Sequence, residues 1–273
     1  MNWAPPPATW RERCIAIAQQ ASAAILAVYE RDFTVEAKPD HSPVTEADLA
    51  AHRIIARELA QLTPTVPVLS EEGAAVPWQT RREWRRYWLV DPLDGTREFV
   101  KRNGEFSVNI ALIEDGVPVL GVILAPVSNY LVHAQKGEGA WLREPAKGCD
   151  LALGSRRPAP TRLRVAASRS HLDARTEKIL DAIGEHERIG LGSSLKFCRL
   201  AEGRVDVYAR FGPTSEWDTA AGQCILEAAG GAVLGLDGKP LRYNREASLL
   251  NPDFIALGDP DLPWRGWLDG LDH

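Results

Sequence analysis

The stretch Trp88-Leu89-Val90-Asp91-Pro92-Leu93-Asp94-Gly95-Thr96 carries the strongest structural signal in the chain. It begins as an apolar run, which predicts a buried strand. Pro92 lacks an amide donor and Gly95 permits unusual backbone angles, so we expect the strand to stop here. Thr96 is then expected to cap a short helix over residues 97–101.

Two carboxylates, Asp91 and Asp94, lie at this predicted strand end. Such groups repel each other unless cations lie between them, whereas the start of a helix favours an anion such as phosphate. The combination predicts a site for divalent metal ions plus phosphate, which metal-assisted phosphate hydrolysis requires.

Two other acidic segments can complete this site. Residues 67–73 form a second apolar run that ends in Glu71 and Glu72, and residues 216–222 place Asp218 at the start of an Ala-rich helix. Magnesium prefers oxygen ligands and retains several waters, so a few carboxylates suffice for each ion. Taken singly, each acid could equally be a solvated loop or helix-capping residue.

Three strings in this order, VLSEE (68–72), DPLDGT (91–96) and WDTAAG (217–222), resemble the lithium-sensitive, magnesium-dependent phosphatases of the inositol monophosphatase superfamily. Three further strings are similar to the CysQ-type 3'(2'),5'-bisphosphate nucleotidases in particular: SPVTEAD (42–48), NGEFSVNIAL (103–112) and GSSLKFCRLAEG (192–203). The resemblance extends from the first helix to about Phe254. It implies a layered αβαβα sandwich of the inositol monophosphatase and fructose-1,6-bisphosphatase type.

The resemblance also implies a set of metal ligands. Asp91 bridges two ions, the first ion is held by Glu71 and the backbone carbonyl of Leu93, and the second is held by Asp94 and Asp218. Two or three Mg²⁺ ions per site are expected, with inhibition by Li⁺ and Ca²⁺.

Catalytic roles follow from the same matches. The hydroxyl of Thr96 and the carboxylate of Glu71 are expected to hold and activate the attacking water, with the metal carrying most of the activation. Asp48 lies beside Thr96 or touches a third metal on this view. On the residues alone, Asp48 could equally be a helix-capping acid.

The nucleotide contacts come from the second half of the chain. In the resembling nucleotidases the residues that match Ser193, Lys196, Arg210 and His171 contact the nucleotide. Taken alone, Lys196 would be an exposed lysine, Arg210 a surface residue and His171 an ordinary loop histidine. The substrate-binding set also includes the metal-side residues Glu71, Leu93, Asp94, Gly95, Thr96 and Asp218.

Composition limits the alternatives. The chain has 273 residues, 45% of them hydrophobic, and a net charge of −5, which argues against a general nucleic-acid binder. Cys14, Cys149, Cys198 and Cys224 fit no zinc spacing, and the three within helical patterns are expected to be buried free thiols. No run is apolar enough to span a bilayer, so we expect a cytoplasmic protein, with peripheral association with the inner membrane left open.

Periodicity predicts two layered halves. Residues 1–155 read as two helices packed on a largely antiparallel sheet, which forms the metal-binding half. Residues 143–161, rich in Pro, Gly and charge, are the expected boundary or surface loop. Residues 156–273 alternate strand and helix, which predicts an α/β half that completes the metal site and binds nucleotide. Residues 230–243 read as a hairpin around Asp237-Gly238.

The sequence therefore predicts a phosphoric monoester hydrolase that removes the 3'-phosphate of adenosine 3',5'-bisphosphate, and it leaves 3'-phosphoadenosine 5'-phosphosulfate open as a second substrate. This activity belongs to the recycling of the by-product of sulfate activation. One alternative is an inositol or fructose-bisphosphate phosphatase on the same scaffold. Another is a non-catalytic nucleotide sensor. The oligomeric state, monomer or homodimer, stays open.

Overall fold

Helices and sheets alternate in five layers through the molecule. The computed structural model describes residues 5–37, 43–73, 75–144, 148–167 and 174–269. Two helices cover one face of a seven-stranded sheet, two more lie between that sheet and a five-stranded one, and the last helices cover the far face. The predicted αβαβα sandwich is confirmed.

The first half builds the larger sheet. Its helices are α1 (Ala8–Tyr29), α2 (Glu46–Leu62), α3 (Trp78–Arg81) and α4 (Thr96–Val100). Its strands are β1 (Val35–Ala37), β2 (Pro43–Thr45), β3 (Val68–Ser70), β4 (Arg86–Asp94), β5 (Ser107–Glu114), β6 (Val117–Ala125), β7 (Tyr130–Gln135), β8 (Gly139–Glu144) and β9 (Cys149–Ala152). Strands β3 to β9 form the seven-stranded sheet in chain order, antiparallel except for the β3–β4 pair.

The second half builds the smaller sheet. Its helices are α5 (Ala174–Ile183), α6 (Leu195–Ala201) and α7 (Glu216–Ala228), and a 3-10 helix spans Trp264–Leu268. Its strands are β10 (Leu163–Ala167), β11 (His186–Gly190), β12 (Val207–Arg210), β13 (Ala232–Gly235) and β14 (Phe254–Leu257). The sheet order is β11-β10-β12-β14-β13. The division predicted at residue 155 falls between the two sheets, and whether the halves are separate domains stays a prediction.

Helix α2 shows how local sequence fixes an element near the site. Its N-cap is Thr45, whose side chain accepts from the amide of Ala47, while Asp48 accepts from the Thr45 amide. This capping box satisfies backbone donors that the helix leaves unpaired. Ile55 and Leu59, one turn apart, are fully buried against α1 and the sheet. The predicted helix is therefore confirmed, with Asp48 fixed in its first turn.

Helix α7 packs closely on the central strands. A Cβ on Gly121 of β6 would lie 2.6 Å from the carbonyl oxygen of Ala221 and 3.0 Å from Cβ of Cys224. Only glycine permits so close an approach of helix and sheet. This contact brings the start of α7, with Asp218, toward the end of β4.

Two local expectations were wrong, and a third was correct over a shorter range. The motif strand does not stop at Asp91 but continues to Asp94, because a register shift against β5 accommodates Pro92 without a ladder hydrogen bond. The expected boundary loop contains β9, which pairs with β8 at the sheet edge. The hairpin expected over residues 230–243 is shorter than predicted: β13 pairs mainly with β14, while an antiparallel bridge joins Leu234 to Pro240 and the Gly235 amide donates to the carbonyl of Lys239.

Cys14, Cys198 and Cys224 are buried free thiols, as predicted, whereas Cys149 is exposed. Within the described ranges, none of the helices has both the length and the apolar character that crossing a bilayer would require.

Candidate active site

The predicted acids meet at the end of β4. Asp91 pairs with Asn109 and Asp94 with Ser107 across β5, and the register shifts between the two pairs. Asp91 is 1% exposed, and Asp94 is half-buried. One carboxylate oxygen each from Asp91, Asp94 and Asp218 lies within 4.8 Å of the others.

Asp218 comes from the first turn of α7. Its Oδ2 accepts a hydrogen bond of 2.8 Å from the amide of Ser215, which precedes the helix. The carboxylate is thus held by the helix start that Gly121 brings close to the sheet.

Glu71 lies just after the strand that pairs with β4. It follows the parallel strand β3, and its amide donates to the carbonyl of Val90 at 3.1 Å. Its negative charge contributes to raising the pKa of both Asp91 and Asp218. Leu93 is also in place, since its amide donates to Asp91 Oδ1 at 3.0 Å. The structure therefore brings together all the residues predicted as metal ligands.

The charges of this cluster are unbalanced. Burial, together with the negative charges of Glu71, Asp94 and Asp218, raises the pKa of Asp91 well above its usual range. Burial and the charge of Asp94 act in the same direction on the pKa of Asp218. Within the described residues, no lysine or arginine forms an ion pair with Asp91, Asp94 or Asp218.

The donor set fits divalent magnesium. It consists of carboxylate and carbonyl oxygens, which hard cations prefer, and it lacks the thiolate and imidazole ligands that favour transition metals. Like-charged carboxylates held together in a buried position are stabilised when a cation binds among them. The residues present thus fit the metal ions that the sequence implies.

Asp48 and Thr96 form a second pair beside the acids. Thr96 Oγ1 lies 3.1 Å from Asp48 Oδ1 and 3.3 Å from the Leu93 carbonyl, and it donates its single proton to one of them. Asp48 Oδ2 accepts from both the amide and the hydroxyl of Thr45, at 2.8 and 2.7 Å. Asp48 is therefore both a helix-capping acid and a neighbour of Thr96.

Thr96 does not cap the short helix, contrary to expectation. The N-cap is Gly95, with φ +91°, and Thr96 is the first residue of α4. A Cβ at residue 95 would lie 3.3 Å from the carbonyl of Glu105 and the left-handed φ disfavours side chains, so glycine suits this position. The Thr96 hydroxyl is thus directed to Asp48 rather than to the helix backbone.

Lys196 is buried rather than exposed. Only 7% of the residue is accessible, its Nζ donates to the carbonyl of Ser193 at 2.9 Å, and its ammonium lies 5.2 Å from the ring centre of Tyr208. Burial lowers the pKa of Lys196 to about 8, and the nearby charge of Arg210 acts in the same direction. A buried lysine without a carboxylate ion pair is suited to binding an anion.

Arg210 lines the same cavity as Lys196. The cavity has a volume of about 180 Å³ and is lined at once by the acids Asp94 and Asp218 and by both cations. The guanidinium of Arg210 donates to the carbonyl of Pro213 at 3.2 Å. Ser193 also lines the cavity, whereas His171 lies outside the described residues.

Two buried residues of the site were missed in the sequence. Ser194 donates to Asp94 Oδ2 through both its amide, at 2.7 Å, and its hydroxyl, at 2.6 Å, and Asn109 Nδ2 lies 3.3 Å from the same oxygen. Both belong to strings that carried the resemblance, GSSLKFC and NGEFSVNIAL. Their position within these strings was the only indication of a functional role, because a serine or asparagine alone predicts nothing specific.

The arrangement suits the cleavage of a phosphate ester. Carboxylates that can hold cations and side chains that carry positive charge line one cavity, so an anionic substrate can contact both kinds of group. A hydroxyl oriented by a buried acid stands beside them.

Comparison with known proteins gives the same class. The model of the Inositol monophosphatase family matches residues 8–258, and the chain therefore belongs to this family. Its members are metal-dependent, and the chain is an enzyme of the phosphatase class.

Individual relatives narrow the comparison. The 3'(2'),5'-bisphosphate nucleotidase CysQ of Escherichia coli (strain K12) is 50% identical over 240 residues, 87% of this chain and 95% of that protein. The crystal structure of CysQ from Bacteroides thetaiotaomicron is 42% identical with a TM-score of 0.79, covering 91% of this chain and 97% of that one. An IMPase from Thermotoga maritima is 25% identical with a TM-score of 0.74, covering 94% of this chain and 92% of that one.

Proposed function

We propose that this chain is a Mg²⁺-dependent 3'(2'),5'-bisphosphate nucleotidase that hydrolyses adenosine 3',5'-bisphosphate to AMP and phosphate. One observation carries the proposal: the cavity that contains Asp94 and Asp218 also contains Lys196 and Arg210. A substrate with two phosphates needs both kinds of group, because one phosphate must meet the metal-binding acids while the other is held by cations. The identity to a curated nucleotidase supports the same choice.

The acids provide the metal ligands in this proposal. Asp91, Asp94, Asp218 and Glu71 would hold Mg²⁺ with the carbonyl of Leu93. When bound, Mg²⁺ lowers the pKa of the attacking water and stabilises negative charge on the phosphoryl oxygens.

Thr96 and Asp48 would orient the water. With its proton donated to Asp48 Oδ1, Thr96 Oγ1 has lone pairs that can accept from the attacking water. Burial raises the pKa of Asp48 above its ordinary value, and the hydrogen bonds from Thr45 oppose this rise. Glu71 is the second proposed acceptor for this water.

The reaction balances without further reactants. The water oxygen bonds to phosphorus, the bond between phosphorus and the 3' oxygen breaks, one water proton stays with the phosphate, and the other is transferred overall to the 3' oxygen. Lys196 and Arg210 would hold the 5'-phosphate, with Ser193 and His171 as further nucleotide contacts.

Comparative phosphate release tests the proposal. Purified protein with Mg²⁺ is offered adenosine 3',5'-bisphosphate, inositol 1-phosphate and fructose 1,6-bisphosphate, and we expect the nucleotide to give the highest kcat/KM. Faster hydrolysis of inositol 1-phosphate would overturn the assignment in favour of the activity suggested by the name of the Thermotoga relative. Activity on 3'-phosphoadenosine 5'-phosphosulfate can be measured in the same assay.

A second comparison tests whether the site is catalytic at all. EDTA and the substitution Asp218→Asn should each abolish release, whereas the control Asp237→Asn, at an exposed turn, should leave it unchanged. Li⁺ is expected to inhibit. Absence of metal-dependent release from every substrate would instead support a nucleotide sensor. If release is found, we propose a place in recycling the by-product of sulfate activation.

A further inference from the structure

A loop from the second half of the chain reaches directly onto the proposed metal ligand Asp94. Ser193 Oγ lies 2.7 Å from Asp94 Oδ2, the Ser194 amide 2.7 Å and the Ser194 hydroxyl 2.6 Å. Asn109 Nδ2, from β5, approaches the same oxygen at 3.3 Å. Four polar groups therefore surround one carboxylate oxygen, and each of the two hydroxyls among them has a single proton and a second acceptor within reach.

Because these groups lie around Oδ2, the two carboxylate oxygens of Asp94 have different surroundings. A carboxylate oxygen has two lone pairs, so the Ser194 amide and one further donor are enough to occupy Oδ2. Oδ1 is then the oxygen of Asp94 that remains to serve a cation. The described residues thus fix which way the carboxylate faces.

Both Asn109 and Ser194 are buried, and Ser194 lies in the wall of the cavity whereas Asn109 does not. Ser194 is 3% exposed and Asn109 is 1% exposed. Both residues contact groups that belong to the proposed metal-binding residues, and their effect on the metal site is expected to pass through these groups.

Ser194 contacts two such residues. Its hydroxyl has a single proton, and it lies 2.6 Å from Asp94 Oδ2 and 2.6 Å from the carbonyl oxygen of Asp218. Asn109 Nδ2 donates to the hydroxyl oxygen at 2.9 Å. Ser194 therefore joins the end of β4 to the first turn of α7.

The orientation of Asn109 is fixed as well. Its Oδ1 lies 2.9 Å from the hydroxyl of Ser107, whose single proton goes either to this oxygen or to Ser193 Oγ, 2.6 Å away. The amide group that remains, Nδ2, therefore faces Asp94 and Ser194, which agrees with the acceptor character of both.

Glu105 fixes the loop of residues 192–194 beside Asp94. Its Oε2 accepts from the amide of Gly192 at 2.9 Å, and a Cβ on Gly192 would lie only 2.8 Å from the Glu105 carbonyl. Ser193 then takes a left-handed φ of +51°, which turns the chain so that the Ser193 hydroxyl and the Ser194 amide point at one carboxylate.

We propose that Asn109 and Ser194 are positioning residues for metal binding, which hold Asp94 with Oδ1 presented to a divalent cation and tie it to the loop that precedes Lys196. The inference rests on the proposed metal-dependent function. Outer contacts of this kind typically contribute about 10–100-fold to metal affinity or activity.

Calorimetric titration with magnesium chloride, without substrate, tests the proposal. Ser194→Ala and Asn109→Ala are each expected to weaken Mg²⁺ binding by about tenfold or more relative to wild type. The two effects should be less than additive, because both residues act on the same carboxylate.

Thr63→Val is the matched control. Thr63 is 5% exposed, its hydroxyl donates to the Leu59 carbonyl at 3.1 Å and accepts from Trp88 Nε1 at 2.8 Å, and it does not line the cavity. We expect Thr63→Val to lower the melting temperature in EDTA by about as much as Ser194→Ala does. We expect it to bind Mg²⁺ with the affinity of wild type. This separates lost packing from lost positioning.

The outcomes are distinct. If wild type binds Mg²⁺ and both variants bind it within about twofold of wild type, the positioning role is wrong while the proposed function stands. If wild type takes up no divalent ion, the metal-dependent function itself is wrong. Should Ser194→Ala fail to fold, Asn109→Ala alone decides, because it leaves the loop amides in place.

Discussion

Two groups of charged side chains on the seven-stranded sheet differ in how their charges are matched. The acid cluster consists of Asp91, Asp94 and Asp218, and the edge cluster consists of Glu12, His133, Arg143 and Asp150. Arg143 donates to both carboxylates of the edge cluster, at 2.9 and 3.0 Å to Glu12 and at 2.7 and 2.9 Å to Asp150. Among the residues that the structure describes, no lysine or arginine pairs with the acid cluster in this way.

The pKa shifts follow the pairing. The hydrogen bonds from Arg143 lower the pKa of both Glu12 and Asp150, so the edge carboxylates favour their charged forms. Burial and mutual repulsion raise the pKa of Asp91 and Asp218 in the acid cluster. The same residue type therefore carries opposite shifts in the two clusters.

The difference separates a structural cluster from a functional one. A chain selected only for stability would pair or replace buried like charges, since each unpaired one lowers stability. Retaining them is consistent with a ligand that supplies the missing charge. The edge cluster needs no ligand, because its own arginine supplies the charge.

The largest expected effect is that of a substitution within the acid cluster. Asp91→Asn should reduce kcat/KM for the nucleotide by at least about 1000-fold, because Asp91 is one of the proposed metal ligands and metal-assisted stabilisation contributes several kcal/mol. The same change should raise the melting temperature in EDTA, because it removes like-charge repulsion while the new amide oxygen can still accept from Leu93.

Activity assays and thermal melts with and without Mg²⁺ check both halves of this prediction. The shift that Mg²⁺ produces in wild type should shrink in Asp91→Asn. A variant that loses stability in EDTA would show that the acid cluster is structural, and the contrast with the edge cluster would disappear.

The second expected effect concerns His133 of the edge cluster. It is fully buried, its Nε2 lies 3.0 Å from Asp150 Oδ2, and no described residue forms a hydrogen bond with its Nδ1. Burial lowers the pKa of His133 to about 4 despite the charge of Asp150, so at neutral pH this contact is a hydrogen bond of a neutral ring rather than an ion pair.

This shift predicts a loss of stability in acid. The unfolded chain takes up the histidine proton near pH 6.5, whereas the folded protein does so only near pH 4. Stability is thus complete above about pH 6.5 and falls as the pH drops to about 4, by roughly 3 kcal/mol. Denaturant titrations of wild type and His133→Gln across this range should diverge by that amount, and parallel curves would contradict the assignment.

Several features of the fold and of the acid cluster could be predicted from the sequence, because each depends on residues that are close together along the chain. The Thr45–Asp48 capping box and the Asp115-Gly116 hairpin turn have fixed spacings, and the structure contains both. The acids Asp91, Asp94 and Asp218 were found because short strings surround them, and the structure brings them within 4.8 Å.

Other features have no local signal. Whether Pro92 ends a strand depends on the partner strand, and here a register shift against β5 lets the strand continue. Ser194 acts on Asp94 from 100 positions away, so no periodicity could reveal the contact. Lys196 is buried only because Tyr208 and the loop carbonyl of Ser193 pack around it after folding.

Lys196 provides the third prediction, on the cation side of the same cavity. With a pKa of about 8, its charge is present below pH 8 and lost above it. The KM for adenosine 3',5'-bisphosphate should therefore rise by up to about tenfold between pH 7 and pH 9, with a smaller effect on kcat.

Lys196→Arg is the matched comparison, since a guanidinium keeps its charge throughout this range. Its KM should stay level between pH 7 and pH 9. An equal rise of KM in both proteins would assign the titration to another group and would remove Lys196 from the proposed phosphate contacts.

The smallest expected effect concerns the edge cluster. Arg143→Ala should lower the free energy of unfolding by about 1 kcal/mol, since its partly exposed ion pairs are screened by water and salt. Denaturant titration at low and high salt measures this loss, which should shrink as salt increases. kcat and KM should match wild type, because the charges here are already balanced within the cluster. A change in kcat would mean that the edge cluster is coupled to the acid cluster through the sheet, and matched charge alone would then no longer distinguish a structural cluster from a functional one.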